Sequence, residues 1–461
     1  CQGPLRRSLS FFPAGIDFPL PMQYNESRLY KVVKQEESLM NEYRKRLMPN
    51  VYLTVLPARK FKTGCLSAQF ITALDRDRAS YNALLPAVLN RGTMRYPDME
   101  SLFAAMDTLY GTTITTTVRK NGERQCVGFV ASCIDDRFAP GGEKLLEPMA
   151  ELVGELFLDP VTRGGHYLKE YVDSEKVNLI DSIRAIRNDK RDWANLRLLQ
   201  EMCAGEPYGV SRLGDEGSAQ KITTHTLYRH GQQLLSDARL ELLYCGSAEP
   251  QRVEEAVEQA FAALPRGQME QLPPMQTFPA PETPRFVTEE MDVTQGKLSM
   301  GFRCGSDDVP AMVLANLIFG GSSNSKLFLN VREKLSLCYY ASSSYARSKK
   351  ILTVSSGIEP KDYDRTLEEI LHQLRQVQQG QWEPWELEGA RSTALNSLRS
   401  VGDSQSALEN FYMSRAAVDQ QETPEELMQS LSAVTPERIC AAAQSIRLDT
   451  VYFLCGKEAA Q

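Results

Sequence analysis

The chain has 461 residues, of which 42% are hydrophobic and 24% are charged, and this composition is ordinary for a globular protein with a large core. Its formal net charge is -7 and it contains no long basic run, so we expect neither a nucleic-acid partner nor a membrane partner. No apolar stretch approaches the roughly 20 residues that a membrane-spanning helix needs. At about 150 residues per domain, two or more domains are expected.

The ten cysteines are scattered and form no Cys-x-x-Cys pair or close cluster of the kind that binds metal. Most of them lie within apolar, strand-like runs such as ELLYCG and VYFLCG. This pattern favours buried free thiols in a reducing compartment, and we therefore expect a cytoplasmic protein. Because the chain begins with Cys1 rather than methionine, we expect a processed start or the edge of an expressed fragment; a lipid-anchored cysteine is the less favoured alternative.

Two strands are predicted near the start of the first half, at residues 51–56 and 65–74. A helix is predicted to follow from about Ser80, whose hydroxyl is a suitable N-cap. Pro86 lies well beyond the first turn of that helix, where a proline removes a hydrogen bond and kinks the chain. We therefore expect a distorted helix after the second strand.

The first half continues with a helix predicted over 99–109, which Asp98 would cap. Two strand-like runs follow at 112–118 and 125–131, and the Asn-Gly pair at 121–122 between them is a strong signal for a hairpin turn. The sequence then predicts four more elements, namely a helix with one apolar face over 145–156, a long helix around 166–186, a strand at 240–244 and a helix over 253–264.

Six prolines lie between residues 265 and 284, and this density predicts a stiff, extended linker. Domain boundaries commonly fall in segments of this composition. We therefore predict an N-terminal lobe over residues 1–264 and a C-terminal lobe over residues 285–461.

The two predicted lobes share a short sequence repeat. GCLSAQF at 64–70 matches GKLSMGF at 296–302 at glycine, leucine, serine and phenylalanine, an offset of 296 − 64 = 232 residues. Both copies precede a charged turn and an apolar helix, and each lobe ends with a strand that finishes in Cys-Gly. This pattern indicates a duplicated lobe. Because each lobe mixes hairpins with helices, we predict an α+β fold in which each lobe is a mostly antiparallel sheet with helices packed on one face.

The stretch FGGSSNSKLFLNVREKLSLCYYASSS, residues 319–344, carries the strongest candidates for function. Its glycine-serine loop lacks the Gly-Lys-[Ser/Thr] ending of a phosphate-binding P-loop, so a turn between two helices is favoured over a nucleotide site. Arg332 offers a planar fork of donors that can hold backbone carbonyls or a carboxylate. Tyr339 offers a hydroxyl that can stabilise an oxyanion. A purely structural role for both side chains is the competing interpretation.

Candidates for metal binding are few. Among the four histidines, His225 and His230 are five residues apart, so on a helix they do not share a face, and we interpret them as surface residues. Glu175 falls on the apolar stripe of a predicted helix, where a carboxylate needs a partner or a polar cavity. The alternative is that the helix boundaries are misjudged and that Glu175 is exposed to water.

Residues 320–344 resemble the second-lobe signature of the pitrilysin/insulinase metallopeptidases, a family that includes mitochondrial processing peptidase. Members typically read GG-x-S-S-x-L-F-x-x-x-R-E-x-x-G-L-x-Y-S. Arg332 and Tyr339 fall on the family's arginine and tyrosine, whereas Ser336 stands in place of its glycine and Tyr340 in place of its serine. The resemblance covers essentially the whole chain, since the duplicated lobes and the linker also fit, and it implies the mitochondrial processing peptidase-like fold.

The catalytic motif of that family is His-x-x-Glu-His on a helix of the first lobe, followed by a Lys-Gly-Thr-like turn; the histidines bind zinc and the glutamate is the general base. When Arg91-Gly-Thr is aligned with that turn, Ala83, Pro86 and Ala87 fall on the motif positions, and none of them can bind a metal or transfer a proton. Glu175 falls where the third zinc ligand is expected. The resemblance therefore implies no metal site and no cofactor in this chain.

The resemblance also implies a partner, because bacterial members often work as two chains, one with the zinc motif and one with the Arg/Tyr pair. Residues 188–209 look like the zinc-lacking partners of that type. The implied function is that of a non-catalytic, substrate-binding subunit of a heterodimeric zinc metallopeptidase, in which Arg332 and Tyr339 hold a peptide opposite a zinc-bearing homologous subunit. The alternative is a structural or assembly protein of the same fold with no role in proteolysis. A peptidase that acts alone by other chemistry is a weaker option.

Overall fold

A computed structural model of the chain describes residues 42–456, so the predictions about Cys1 fall outside the described residues. The described part of the first half contains a six-stranded sheet and a small two-stranded sheet. Their strands are β1 (Tyr43–Met48), β2 (Val51–Pro57), β3 (Thr63–Ala73), β4 (Thr113–Asn121), β5 (Arg124–Ile134), β6 (Thr162–Arg163), β7 (His166–Tyr167) and β8 (Arg239–Gly246). The large sheet has the order β1-β2-β8-β3-β5-β4, and its β2–β8 pair is parallel whereas its other pairs are antiparallel.

The helices of the first half, except one that contacts the second sheet, pack on one face of this sheet around a core that includes Phe70, Phe129 and Phe157. Their bounds are α1 (Arg76–Leu89), α2 (Met99–Thr108), α3 (Leu146–Leu158), α4 (Lys169–Ala185), α5 (Lys190–Met202), α6 (Glu216–Gln220), α7 (Thr224–Asp237) and α8 (Pro250–Ala260).

The second half contains a five-stranded sheet built from β9 (Arg285–Glu290), β10 (Gly296–Cys304), β11 (Cys338–Ala346), β12 (Ile351–Ile358) and β13 (Ile446–Cys455). Its order is β11-β12-β10-β13-β9, with β9 and β13 parallel and the other pairs antiparallel. The helices are α9 (Val309–Asn316), two π-helical segments (Leu317–Gly321 and Leu327–Lys334), α10 (Tyr363–Gln378), α11 (Pro384–Arg399), α12 (Gln405–Ala416), α13 (Pro424–Ser432) and α14 (Pro436–Ala443).

The two large sheets share one topology. If β2, β8, β3, β5 and β4 of the first are matched with β9, β13, β10, β12 and β11 of the second, the spatial order and the parallel or antiparallel sense of every pair agree. The first sheet has β1 in addition. This correspondence confirms the predicted α+β fold of two duplicated lobes with mostly antiparallel sheets.

The identities of the sequence repeat have structural causes on β3 and β10. The repeated leucine and phenylalanine point into the core of their own half. The repeated glycines leave room for an aromatic side chain of the neighbouring strand: a Cβ at Gly64 would lie 2.9 Å from the hydroxyl oxygen of Tyr244, and a Cβ at Gly296 would lie 2.7 Å from a ring carbon of Phe453.

The repeated serines, Ser67 and Ser299, lie on the opposite face of each sheet, where each contacts a helix of the other half. Ser67 donates to the Glu409 carboxylate of α12 at 2.8 Å, and the Ser299 hydroxyl is 3.0 Å from the Asn195 amide oxygen of α5. One helix of each half therefore packs on the sheet of the other half, on the face opposite that sheet's own core.

Buried polar contacts hold these exchanged helices in place. The Glu409 carboxylate is 2% exposed and accepts from both terminal nitrogens of Arg119, at 2.9 and 2.8 Å, and from the Gln69 amide. On the other side, Ala194 and Leu198 of α5 pack against buried residues of β13. Because a charged group that loses its buried partner is costly, these contacts fix the two halves against each other.

Residues 265–284 contain no helix or strand, and the two large sheets lie on either side of them in the chain. The backbone carbonyl of Pro273 in this segment accepts a hydrogen bond from Arg124, and the backbone amide of Gln276 donates to Glu123 at 3.2 Å. The segment is thus tied to the β4–β5 turn. The predicted domain boundary within it stays a prediction.

Two local expectations differ from the structure. The helix α1 begins at Arg76, and its N-cap is Asp75, which accepts from the amide of Asp77 at 2.8 Å. Ser80 therefore lies inside the helix rather than at its cap, because the earlier carboxylate satisfies the free amides first. The long helix α4 begins at Lys169, since His166 is part of the short strand β7. None of the helices in the described range is both long enough and apolar enough to cross a membrane.

Candidate functional site

The degenerate motif positions lie on α1, which packs against the first sheet. Ala83 is 7% exposed and belongs to the core, Pro86 is buried, and Ala87 is half-buried. Their side chains are hydrocarbon and carry no lone pair for a metal and no exchangeable proton. The family's zinc does not fit the residues that stand here, and no chemistry of this chain is derived from it.

Glu175 on α4 has a partner within the chain. Its carboxylate accepts from Arg91 at 2.9 Å and from the Asn178 amide at 3.0 Å, and its side chain is 12% exposed. The guanidinium of Arg91 also lies over the Tyr171 ring, 5.0 Å from its centroid. Of the two alternatives for this carboxylate, the structure shows the paired one, and the cation that neutralises it is an arginine of the Arg-Gly-Thr turn.

His230 is not the surface residue that the sequence analysis expected. Its Nε2 lies 2.7 Å from the Asn82 amide oxygen of α1, and its ring packs 5.2 Å from the Tyr81 ring. Burial, followed by the nearby charge of Arg78, lowers the pKa of His230 to about 4. The prediction was wrong because a separation of five residues excludes a helix face shared with His225 but carries no information about the burial of either side chain. His225 is exposed, as expected.

The candidate stretch of the second half begins at the end of the first π-helical segment, and a loop at 322–326 joins this segment to the second, as the turn interpretation expected. Gly320 is needed at the end of the first segment because a Cβ would lie 2.9 Å from the Ser343 backbone nitrogen. In the loop, Lys326 pairs with Glu386 of α11 at 3.1 Å, and both side chains are buried. The loop is therefore anchored to the helical layer, and it presents the following segment in a fixed position.

Arg332 lies in the last turn of the second π-helical segment. Its side chain is 40% exposed, its guanidinium lies over the Phe328 ring at 4.7 Å, and its Nε is 3.5 Å from a Glu333 carboxylate oxygen. An ion pair between two exposed neighbours contributes little to stability. The guanidinium can therefore leave Glu333 for another acceptor at low cost.

Tyr339 is the extra residue of a β-bulge at the start of β11. Cys338 pairs with Ile358 and Tyr340 pairs with Gly357, so Tyr339 has no partner in the ladder. A bulge re-aims the side chain of the inserted residue, and the Tyr339 side chain is 59% exposed. Its hydroxyl donates to Glu359 at 2.5 Å, and this hydrogen bond raises the pKa of Tyr339, which keeps the phenol protonated as a donor.

The turn between Arg332 and Tyr339 explains the glycine of the family signature. Ser336, which stands at that position, has φ of +52°, in the left-handed region that glycine adopts most easily. Four residues after Ser336, Tyr340 stands in place of the family's serine. Its ring centroid lies 4.5 Å from the Arg191 guanidinium of α5. The substitution at 340 therefore connects the candidate strand to a helix of the first half.

Sequence reasoning missed three partners: Arg91, Glu359 and Arg191. The first two form contacts with Glu175 and Tyr339, and the third stacks on Tyr340. Glu359 carried one usable signal, because it directly follows β12, the strand that pairs with β11 in a hairpin. The other two contacts join distant parts of the chain and had none.

A duplicated α+β fold whose motif positions carry no metal-binding side chains defines a class of inactive metallopeptidase-like proteins. Residues 221–394 match the model of the Peptidase M16 inactive domain. A Bacillus subtilis protein named "Probable inactive metalloprotease YmfF" is 34% identical over 412 residues, which cover 88% of this chain and 96% of that protein. The chain belongs to the M16 peptidase family, so the predicted membership in the pitrilysin/insulinase group is confirmed.

Two further proteins are similar to the chain. The "Uncharacterized zinc protease YmxG" of Bacillus subtilis is 26% identical over 175 residues, which cover 36% of this chain and 43% of that protein. A crystal structure of a conserved protein from Enterococcus faecalis V583 matches with a TM-score of 0.83 and 26% identity, covering 90% of this chain and 99% of that one. The relative that is named probably inactive is matched over nearly its whole length, in agreement with the degenerate motif of this chain.

Proposed function

We propose that this chain is the non-catalytic, substrate-binding subunit of a two-chain zinc peptidase of the M16 family in the cytoplasm. A homologous partner supplies the zinc, and Arg332 and Tyr339 contact the peptide. The observation that carries the proposal is that polar groups of the first half pair within the chain, whereas the candidate residues of the second half are exposed. Arg91 and Glu175 pair with each other in the first half, whereas Arg332 and Tyr339 are exposed. Arg332 contacts Glu333 and the Phe328 ring, and Tyr339 donates to Glu359.

The chemistry of the pair suits a peptide backbone. The guanidinium of Arg332 can donate two parallel hydrogen bonds to carbonyl oxygens or to a terminal carboxylate. The protonated phenol of Tyr339 can donate to the oxygen on which negative charge develops, once it leaves Glu359. Both residues therefore bind and orient, and hydrolysis itself belongs to the partner.

The edge strand β11 is a suitable place for an extended peptide. It ends the five-stranded sheet and pairs only with β12 among the described strands, so one side of its backbone has free donors and acceptors. A peptide that adds as a further strand gains main-chain hydrogen bonds irrespective of its sequence. Tyr339, at the start of β11, would then contact one end of that peptide.

The relatives and the cysteines support the setting of the proposal. One Bacillus subtilis relative is named an inactive metalloprotease and another a zinc protease, so the two kinds of chain occur in one organism. The described cysteines, from Cys65 to Cys455, are free thiols, which is the state expected in a reducing compartment.

The test is to purify the chain with the zinc-bearing homologue of its own organism and to measure peptide cleavage by the assembled pair. Arg332→Ala combined with Tyr339→Phe is expected to lower kcat/KM by about 10²- to 10³-fold, the usual cost of removing groups that stabilise an oxyanion. Zinc content and the mass of the complex should stay unchanged. Turnover equal to that of the unaltered pair would contradict the proposal.

Matched controls separate this effect from a general loss of surface charge. Arg375→Ala removes an exposed arginine of α10, and Tyr110→Phe removes the hydroxyl of an exposed tyrosine of the first half. Neither is expected to change cleavage. Purification of the chain within a large assembly without any zinc-bearing homologue would favour the alternative, a structural protein of the same fold.

A further inference from the structure

A cleft of about 720 Å³ lies between the two halves, at the end of β11 opposite Tyr339. The β4–β5 turn and Tyr208 of the first half line one side, and the end of β11 with helices α11 and α12 lines the other. Tyr339 and Arg347 lie at opposite ends of β11, eight residues apart and thus roughly 26 Å at about 3.3 Å per residue. The cleft therefore lies apart from Arg332 and Tyr339, and its volume is within the usual range for small-molecule sites.

The charge of this cleft is one-sided. Lys120, Arg347 and Arg415 line it, and none of the described residues that line it is an aspartate or a glutamate. Hydroxyl and amide groups, including those of Ser348 and Asn410, complete the polar part of the wall. Three cations that face one cavity repel each other, and an anion placed among them removes that cost.

The partners of the three cations leave most of this charge uncompensated. Lys120 donates to the backbone carbonyls of Tyr208 at 2.5 Å and Val210 at 3.0 Å, which carry no net charge. Burial lowers the pKa of Lys120 to about 8. Arg415 pairs with Glu422, yet its Nε is buried without a hydrogen bond to any described atom, and the residue is only 8% exposed.

Arg347 is the most available of the three. Its side chain makes no hydrogen bond or ion pair with residues 42–456, although it lines the cleft beside Arg415. Arg347 is exposed at the cleft, and no carboxylate within residues 42–456 pairs with it. A planar fork of donors in this position is suited to two oxygens of one anionic group.

We propose that the cleft between the halves is a binding site for a small molecule with an oxyanion group, a carboxylate or a phosphate, which Arg347 holds together with Lys120 and Arg415. Neither Arg332 nor Tyr339 lines this site, so the proposal does not depend on the role proposed for those two residues. The volume exceeds what a single phosphate ion fills, so the natural ligand carries further atoms on its anionic group.

The experiment uses the full chain, with inorganic phosphate and citrate as probes and chloride at matched ionic strength as reference. Titration calorimetry and thermal unfolding are expected to show saturable binding and a rise in Tm for at least one probe. Binding of citrate alone identifies a carboxylate ligand, and binding of phosphate alone identifies a phosphorylated one. No saturable binding of either probe beyond the chloride reference would overturn the proposal.

The variants locate the site. Arg347→Ala is expected to weaken binding of the responsive probe by about tenfold or more, the usual loss for a charged hydrogen bond, without lowering the Tm of the free chain, since no described contact is lost. Arg399→Ala, which removes an exposed arginine of α11 that does not line the cleft, should leave binding unchanged. Equal binding by the Arg347→Ala variant and the unaltered chain would contradict the assignment.

Discussion

The helix α1 of the first half and the segment from Arg332 to Tyr340 of the second differ in where their polar groups find partners. Asn82 and Arg91, on and just after α1, contact His230 and Glu175 within the same half. Arg332 and Tyr339 are exposed, and each pairs with a single carboxylate at the surface, Glu333 and Glu359 respectively. Groups satisfied internally contribute to stability, whereas groups left at the surface are available to another molecule. Substitutions in the two regions should therefore change different measurable quantities.

The largest effect on stability is expected for Arg91→Ala, which leaves the largely buried Glu175 carboxylate without its cation. The loss should be about 2–3 kcal/mol of unfolding free energy, less than for a fully buried pair because the Arg91 side chain is 28% exposed. Urea unfolding at neutral pH measures it. Arg95→Ala is the control, since Arg95 pairs with Glu151 and Glu155 but is 58% exposed and should cost under about 1 kcal/mol. Equal losses for the two variants would contradict the comparison.

The next effect concerns pH. Since the pKa of His230 is about 4 in the folded chain and near 6.5 when unfolded, the unfolded chain binds the proton first as the pH falls. The contribution of neutral His230 to the free energy of unfolding is therefore fully present above pH 6.5 and is lost as the pH falls from 6.5 to 4. At pH 4.5 the loss is about 2 kcal/mol. Urea midpoints at pH 7 and 4.5 should differ less for His230→Gln than for the unaltered chain. His225→Gln, at an exposed position, should keep the full difference.

A smaller and opposite effect is expected at the turn that precedes Tyr339. Ser336→Gly should stabilise the chain by about 0.5–1 kcal/mol, because glycine adopts the positive φ of this residue without the strain that a Cβ causes. Thermal unfolding would show a raised Tm. Ser336→Ala keeps the Cβ and should give no gain; an equal rise in both variants would mean that backbone strain is not the cause.

The smallest effect on stability is expected where the effect on function is proposed to be largest. Arg332→Ala and Tyr339→Phe should each change the unfolding free energy by less than about 0.5 kcal/mol, as is usual for exposed side chains outside a packed network. Denaturant unfolding of the isolated chain tests this. A loss above about 1 kcal/mol would assign the two residues a structural role and remove the contrast with Arg91 and Glu175.

The sequence predicted much of the fold because the relevant signals are local. The repeat of GCLSAQF and GKLSMGF predicted the duplication, and the Asn-Gly pair at 121–122 predicted the β4–β5 hairpin, whose Gly122 has φ of +56°. The N-terminal start of α1 could not be predicted in the same way. Ser80 and Asp75 are both suitable N-cap residues, and only the packing of the helix decides between them.

The candidate site could be predicted as a set of residues but not as an arrangement. The signature identified Arg332 and Tyr339, and nothing local to them indicated the bulge that turns Tyr339 outward. The ion pair of Arg91 with Glu175 joins residues 84 positions apart, a separation at which hydrophobic periodicity carries no information. The packing of α5 and α12 on the sheet of the opposite half was not predicted for the same reason. The pattern of each helix predicts an apolar face but does not identify the surface that covers this face.

The exchange of these two helices also bears on how the chain would tolerate a break. Covalent continuity through residues 265–284 is one connection between the halves, but the contacts of Glu409 with Arg119 and of α5 with β13 form others that need no intact backbone. A chain nicked within the exposed residues 281–283 would therefore remain one particle, with two fragments that complement each other. Either fragment made alone would carry a sheet with one bare face and a helix with no surface to cover.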